Sequence, residues 1–283
     1  MKKIIPLLLC VLILASIVWI APRPTATTQT KLIAPTTLTL QTASALESTQ
    51  GSAATSSKQR SVRIPILAYH SVRPYYPGIT NMVKEYTVPP EIFDDQLKYL
   101  RDNGFTPITM DALVQYLVSD KELPPRPVMI TLDDGWENQF TYAFPILKKY
   151  HDPGVFYIYS RAIGVKHYMT WDEVRTLASS GMEIGGHTRS HPELPKIKEL
   201  ALLNEELADS KKVIEKQIGQ PIKDFAYPFG EYDDQAIQVL KASGYQSARA
   251  LIRSSESKTS ALYTLPGFII TGDFNRFVSL VNK

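Results

Sequence analysis

From Ile64 to about Ile252 the chain repeats one pattern: a short apolar run, a longer stretch with helical spacing, then another apolar run. Strands separated by ten or more helical residues cannot pair as hairpins and pair in parallel through crossovers. The apolar runs at 64–69, 105–109, 127–132, 154–159, 182–185, around Phe225 and at 247–252 read as strands. The stretches 90–103, 110–118, 137–150, 171–180, 198–218 and 233–243 read as helices; in the first, Phe93, Leu97 and Leu100 share a face before Gly104 stops it. This is an α/β sequence. About seven such units in about 220 residues fit a single catalytic domain folded as a distorted (β/α) barrel of about seven parallel strands.

In such a fold the loops leaving the carboxyl ends of the strands carry the chemistry. The run at 127–132 ends in Asp133-Asp134-Gly135. Alone, that triplet also fits a turn with a helix cap. A second strand, at 182–185, leads into His187 and His191, four residues apart, a spacing that lets two imidazoles face one ion. With Asp134 as an oxygen ligand, two histidines and one carboxylate leave a metal position open, the catalytic rather than the structural arrangement. The plain reading of an isolated pair is two surface histidines in a polar turn. A third strand end carries Tyr227-Pro228-Phe229-Gly230, a turn that can present the Phe229 N–H to an oxyanion. As a lone pattern it is an ordinary turn.

The first sixty residues differ from the rest. Lys2 and Lys3 precede an apolar run from Ile4 to Ala21, the order of an export signal or membrane anchor. No small-x-small cleavage site accompanies Ala21, which favours an uncleaved anchor over residues 1–21. Cys10, the only cysteine, lies inside this run, so intramolecular disulfides are excluded. Residues 22–62 are rich in Ser, Thr, Pro and Ala and read as a disordered stalk, with the folded domain at 63–283. All fifteen tyrosines fall after residue 62. The first 62 residues hold six Lys or Arg and one Glu, leaving 25 basic against 27 acidic residues in the remainder, a balance that gives no electrostatic reason to bind nucleic acid.

The segments "IPILAYHSV", "ITLDDG", "MTWDEVRTLASSGMEIGGHTRSHPEL" and "FAYPFGEYDD", in that order, resemble the polysaccharide deacetylases of carbohydrate esterase family 4 over most of residues 64–270. The resemblance implies metal-dependent removal of acetyl groups from cell-envelope or extracellular glycans. Residue by residue, it makes Asp133 the general base and Asp134, His187 and His191 the metal ligands, and it gives the Phe229 backbone to the oxyanion hole. The Tyr69-His70 pair resembles the subgroup acting on poly-N-acetylglucosamine-type exopolysaccharides, with His70 in the cleft or bracing its loop. Zinc is the default for such ligands, with cobalt or nickel compatible. Trp136, Tyr75, Tyr76, Tyr227 and Tyr232 are candidates to stack on sugar rings, although barrel aromatics are more often core.

Two departures qualify the resemblance. The family's third motif often carries an arginine ahead of its Pro-aromatic pair, and Phe225-Ala226-Tyr227 has none, which leaves the base without its usual orienter. No histidine follows His191, so the resemblance supplies no general acid. His151 and His167 read as solvent-facing. The expectation is an exported, membrane-tethered, metal-dependent N-deacetylase of an acetylated polysaccharide. The alternatives are a glycan-binding protein with a vestigial metal site and an O-acetyl esterase.

Overall fold

The computed structural model describes residues 59–252 and 254–282. The apolar segment 1–21 and residues 22–58 of the expected stalk lie outside the described residues. Among the described residues no helix is long and apolar enough to cross a membrane. Ordered contacts begin earlier than Arg63. Ser61–Arg63 pairs antiparallel with Glu256–Lys258, and the Arg60 guanidinium reaches the Ser119 carbonyl at 2.6 Å.

Eight parallel strands form a nearly closed barrel: β1 (Ile66–Tyr69), β2 (Pro127–Asp134), β3 (Val155–Ile158), β4 (Glu183–Gly186), β5 (Asp224–Ala226), β6 (Ser247–Ala250), β7 (Leu265–Pro266) and β8 (Phe268–Ile269). The order around the sheet is β7-β6-β5-β4-β3-β2-β1-β8. The last two are successive halves of one segment. Arg249 pairs with Leu265 on one side and Leu67 with Phe268 on the other, so this segment closes the ring. The closing strands fall outside the apolar runs read from the sequence, because two-residue strands interrupted by Gly267 carry no periodic signal. The run at 105–109 contributes only Thr106–Pro107, which pairs with the start of β2.

The outer layer contains α1 (Pro90–Asp102), α2 (Met110–Val118), α3 (Phe144–Tyr150), α4 (Trp171–Ser179), α5 (Ser210–Ile218), α6 (Asp234–Ala242) and α7 (Phe274–Val281). Phe93, Leu97 and Leu100 of α1 are fully buried, as their spacing requires, each contributing on the order of 1.5–3 kcal/mol. At the start of α4, Thr170 Oγ1 accepts from Glu173 N while the Glu173 carboxylate accepts from Thr170 N, a reciprocal cap. Helix expectations at 137–150 and 198–218 are met with a difference. Each contains a wider π turn, at Gln139–Ala143 and Glu205–Asp209.

β2 is buried along its whole interior, which is why its sequence is apolar rather than alternating. It also runs two residues beyond the apolar segment. Asp133 and Asp134 are its last residues, in register with Tyr157 and Ile158 of β3, and these in turn with Gly185 and Gly186 of β4. A parallel barrel places all its strand ends at one mouth, so residues far apart in sequence converge there.

Candidate active site

At the mouth, Asp134, His187 and His191 bring one ligand atom each within 4.8 Å of one another. His187 Nε2 and His191 Nε2 each lie 3.4 Å from Asp134 Oδ1. Two ligand atoms sharing an ion at about 2.1 Å in tetrahedral geometry stand about 3.4 Å apart. Asp134 Oδ1 is buried and has no hydrogen-bond partner in the protein, while Oδ2 accepts from the Trp136 indole N–H at 2.9 Å. His187 Nδ1 faces the Ala226 carbonyl at 2.6 Å, which fixes the proton on Nδ1 and leaves the Nε2 lone pair free. These features fit a divalent cation.

Burial opposes ionisation of Asp134. The imidazoles of His187, His70 and His191 outweigh it and hold the carboxyl well below the usual carboxylate range. Burial, with His187 beside it, pushes His191 down to about 4, so the ring is neutral at physiological pH, the form that binds metals.

The backbone is strained where these residues sit. Asp134 (φ 80°), Thr188 (φ 70°), His191 (φ 61°) and Phe229 (φ 58°) all occupy the left-handed region, at a cost of order 1–3 kcal/mol each. Local bonds stabilise them: His191 N donates to Thr188 Oγ1 at 2.9 Å, and Gly230 N donates to Tyr227 O at 2.9 Å. Gly230 is required there, since a Cβ would meet Leu251 at 2.6 Å. The turn puts the Phe229 ring against His191, with centroids 4.8 Å apart.

Asp133 points elsewhere. Its Oδ2 accepts from Arg249 Nη2 at 2.5 Å and lies 3.8 Å from His70 Nε2. Arg249, fully buried, crosses the barrel interior over the Tyr157 ring. Gly267 makes room for it, because a Cβ at that position would meet Arg249 Cδ at 2.8 Å. The absent motif arginine therefore does not leave Asp133 without a partner: an arginine from β6 takes that place.

Above these groups lies a cleft of about 950 Å³, whose walls include His70, Asp133, Asp134, Trp136 and Phe229. The family comparison bears on the same residues. Residues 120–248, which carry both acids and both histidines, match the polysaccharide deacetylase family. Those residues match a polysaccharide deacetylase domain. The Streptococcus pyogenes deacetylase PplD, solved in complex with acetate, superposes with a TM-score of 0.70 at 26% identity, covering 78% of this chain and 99% of that one. The Bacillus subtilis protein YxkH is 29% identical over 207 residues, 73% of this chain and 71% of that protein. The Staphylococcus aureus (strain MRSA252) poly-beta-1,6-N-acetyl-D-glucosamine N-deacetylase is 27% identical over 228 residues, 73% of this chain and 78% of that protein.

The aromatic candidates divide. Trp136 and Tyr227 touch the cleft, but Tyr227 is buried, with its hydroxyl donating to the Tyr263 carbonyl at 3.0 Å. Tyr227 therefore belongs to the core rather than to a stacking platform. Tyr232 stacks on Tyr227 at 5.0 Å and does not line the cleft. Tyr75 and Tyr76 are exposed. His151 is exposed at the end of α3, and His167 is exposed on the cleft wall. Sequence reasoning missed Arg249 and Gln139. Gln139 is fully buried and donates to the His70 carbonyl at 2.6 Å and to the Asp133 carbonyl, tying two strand ends together. The available signal for Arg249 was a lone cation between Ala248 and Ala250 in a strand of small residues.

Proposed function

We propose that the domain is a metal-dependent polysaccharide N-deacetylase, its ion held by Asp134, His187 and His191 and its general base Asp133. The observation that carries this reading is the pair of adjacent acids facing different partners. The free oxygen of Asp134 faces two imidazoles, whereas Asp133 is held by Arg249. A divalent ion bound there supplies Lewis acidity, polarising an acetyl carbonyl and lowering the pKa of water towards about 7.

The protein's own groups do the rest. Asp133, oriented by Arg249, takes the proton of the attacking water. The Phe229 N–H is the donor assigned to the developing oxyanion, a role whose loss typically costs about 10² to 10³ in rate. His70, outside the metal set and 3.8 Å from Asp133, receives that proton from Asp133 and passes it to the leaving amine. Collapse releases acetate and a glycan amine. The likeness to the S. aureus enzyme supports an N-acetylated, glucosamine-type polymer as substrate.

The proposed location is the outer face of the membrane, with residues 4–21 as the anchor, since two lysines precede that segment. The mass of the chain purified from membranes checks this, and a chain beginning after Ala21 overturns it. The activity is tested by acetate release from a panel of N- and O-acetylated glycans, with chelator and with added zinc, cobalt or nickel. Chelator-sensitive release from N-acetylated chains is expected. Release only from O-acetylated chains makes the protein an esterase, and binding without release makes it a glycan-binding module.

A further inference from the structure

The loop 159–169 contributes no candidate ligand, yet it is hydrogen-bonded to both segments that do. At one end Ser160 N donates to Thr188 O (3.1 Å) and Arg161 N to Arg189 O (2.9 Å), beside His187 and His191. At the other, Glu137 N donates to His167 O (2.9 Å) and Met169 N to Gly135 O (3.0 Å), beside Asp134. Its side chains follow the same path. Tyr168 stacks on Trp136 with centroids 4.3 Å apart and planes at 19°. The Tyr168 and Tyr159 hydroxyls are 2.5 Å apart, and the Tyr159 ring lies 5.5 Å from the His191 ring.

Trp136 is where this clasp meets the carboxylate. An indole has one N–H and no acceptor, so it can only donate, and here it donates to Asp134 Oδ2. With the ring pinned flat against Tyr168, the N–H cannot swing away, and Asp134 cannot rotate to offer both oxygens to one ion. Resting on the metal reading above, we propose that Trp136, clamped by the loop 159–169, is a positioning residue that holds Asp134 to one-oxygen coordination and keeps the rest of the coordination sphere open for water and an acetyl oxygen.

The test uses the full chain and three readouts: zinc affinity by competition with a chromophoric chelator, the visible spectrum of the cobalt-loaded protein, and the kcat and KM of acetate release. Trp136→Phe keeps an aromatic ring against Tyr168 but removes the donor. It is expected to weaken zinc binding by about 10- to 100-fold, the usual effect of losing a partner of a metal ligand. The cobalt spectrum should change, because a carboxylate freed to use both oxygens changes the coordination, and kcat should fall while KM stays within about twofold.

Tyr168→Leu, which keeps the indole but removes its stacking partner, should shift the same readouts in the same direction and by less. It decides the matter if Trp136→Phe does not fold. Zinc affinity within about twofold of wild type and an unaltered cobalt spectrum in the folded variants overturn the inference while leaving the metal reading intact. A wild-type chain that binds no zinc or cobalt overturns both.

Discussion

Arg249 Nη2 meets Asp133 Oδ2 at 2.5 Å inside the barrel, with neither side chain open to solvent, although the residues are 116 apart in sequence. The pair joins β6 to the end of β2 and serves two purposes. It gives a buried carboxylate oxygen a hydrogen-bond donor and fixes which way that carboxylate faces. Removing one member of a buried pair strands the other charge, which typically costs about 3–5 kcal/mol. Arg249→Leu is therefore expected to lower unfolding free energy by that order and to reduce turnover at least tenfold. Adding Asp133→Asn to it should recover most of the stability and none of the activity. Urea denaturation of the two single variants and the double variant checks this, and additive losses would show that the two residues are not coupled.

A second acid is buried near the opposite end of the barrel. Asp224 begins β5 and accepts from Ser247 Oγ at 2.6 Å. Burial pushes its carboxyl up to about 7, Ser247 opposing and Glu183 and Asp111 adding to the rise. The unfolded chain titrates near 3.9, so between about pH 4 and pH 7 the folded state binds the extra proton. Stability from this group is complete below about pH 4 and is lost as pH rises through 7. Asp224→Asn keeps an acceptor for Ser247 and removes the titration. Its melting temperature is expected to match wild type near pH 4 and to exceed it by several degrees at pH 8. Equal differences at both pH values would refute the assignment.

Much of this architecture is legible in the sequence because buried parallel strands and amphipathic helices impose strong, separate periodicities. β1 to β6 and the faces of their helices can be read that way. The candidate metal trio is legible for a related reason, since its members sit at or just past the ends of those strands. What is not legible depends on distance in sequence. Arg249 reads as an odd charge in a strand until the barrel closes and brings Asp133 to it. Tyr227 reads as a cleft aromatic until its hydroxyl is found on the Tyr263 carbonyl. The ring closure by Leu265–Phe268 depends on pairings to Arg249 and Leu67 that no local pattern encodes.

The glycines before His187 make a separate prediction. A Cβ on Gly185 would sit 2.4 Å from the Tyr157 ring, and one on Gly186 would sit 2.2 Å from the Tyr245 hydroxyl. Both rings are fully buried and cannot withdraw. Gly185→Ala is expected to cost about 1–3 kcal/mol through overpacking and to displace the strand end that carries His187. Thermal unfolding without metal reads the first effect and zinc titration the second. A variant with normal melting and normal zinc affinity would show that β4 has slack.

The two adjacent acids should fail in different ways when each is changed to Asn. Asp134 accepts from Trp136 on one oxygen and presents the other to His187 and His191. An amide cannot do both. If its oxygen takes the indole N–H, its NH₂ faces the imidazoles and no ligand atom remains there. If it turns over, the NH₂ opposes the indole N–H, donor against donor. Asp134→Asn is thus expected to weaken metal binding strongly, with activity partly restored by excess metal. Asp133→Asn can keep its oxygen on Arg249, so the fold and the metal stay, but an amide cannot take a proton from water. Turnover is expected to fall by about 10² to 10⁴ with glycan affinity unchanged and no rescue by metal. Metal content, glycan binding and acetate release measured on both variants decide the roles. Rescue of Asp133→Asn by added metal would reverse the assignment, making Asp133 a ligand rather than the base.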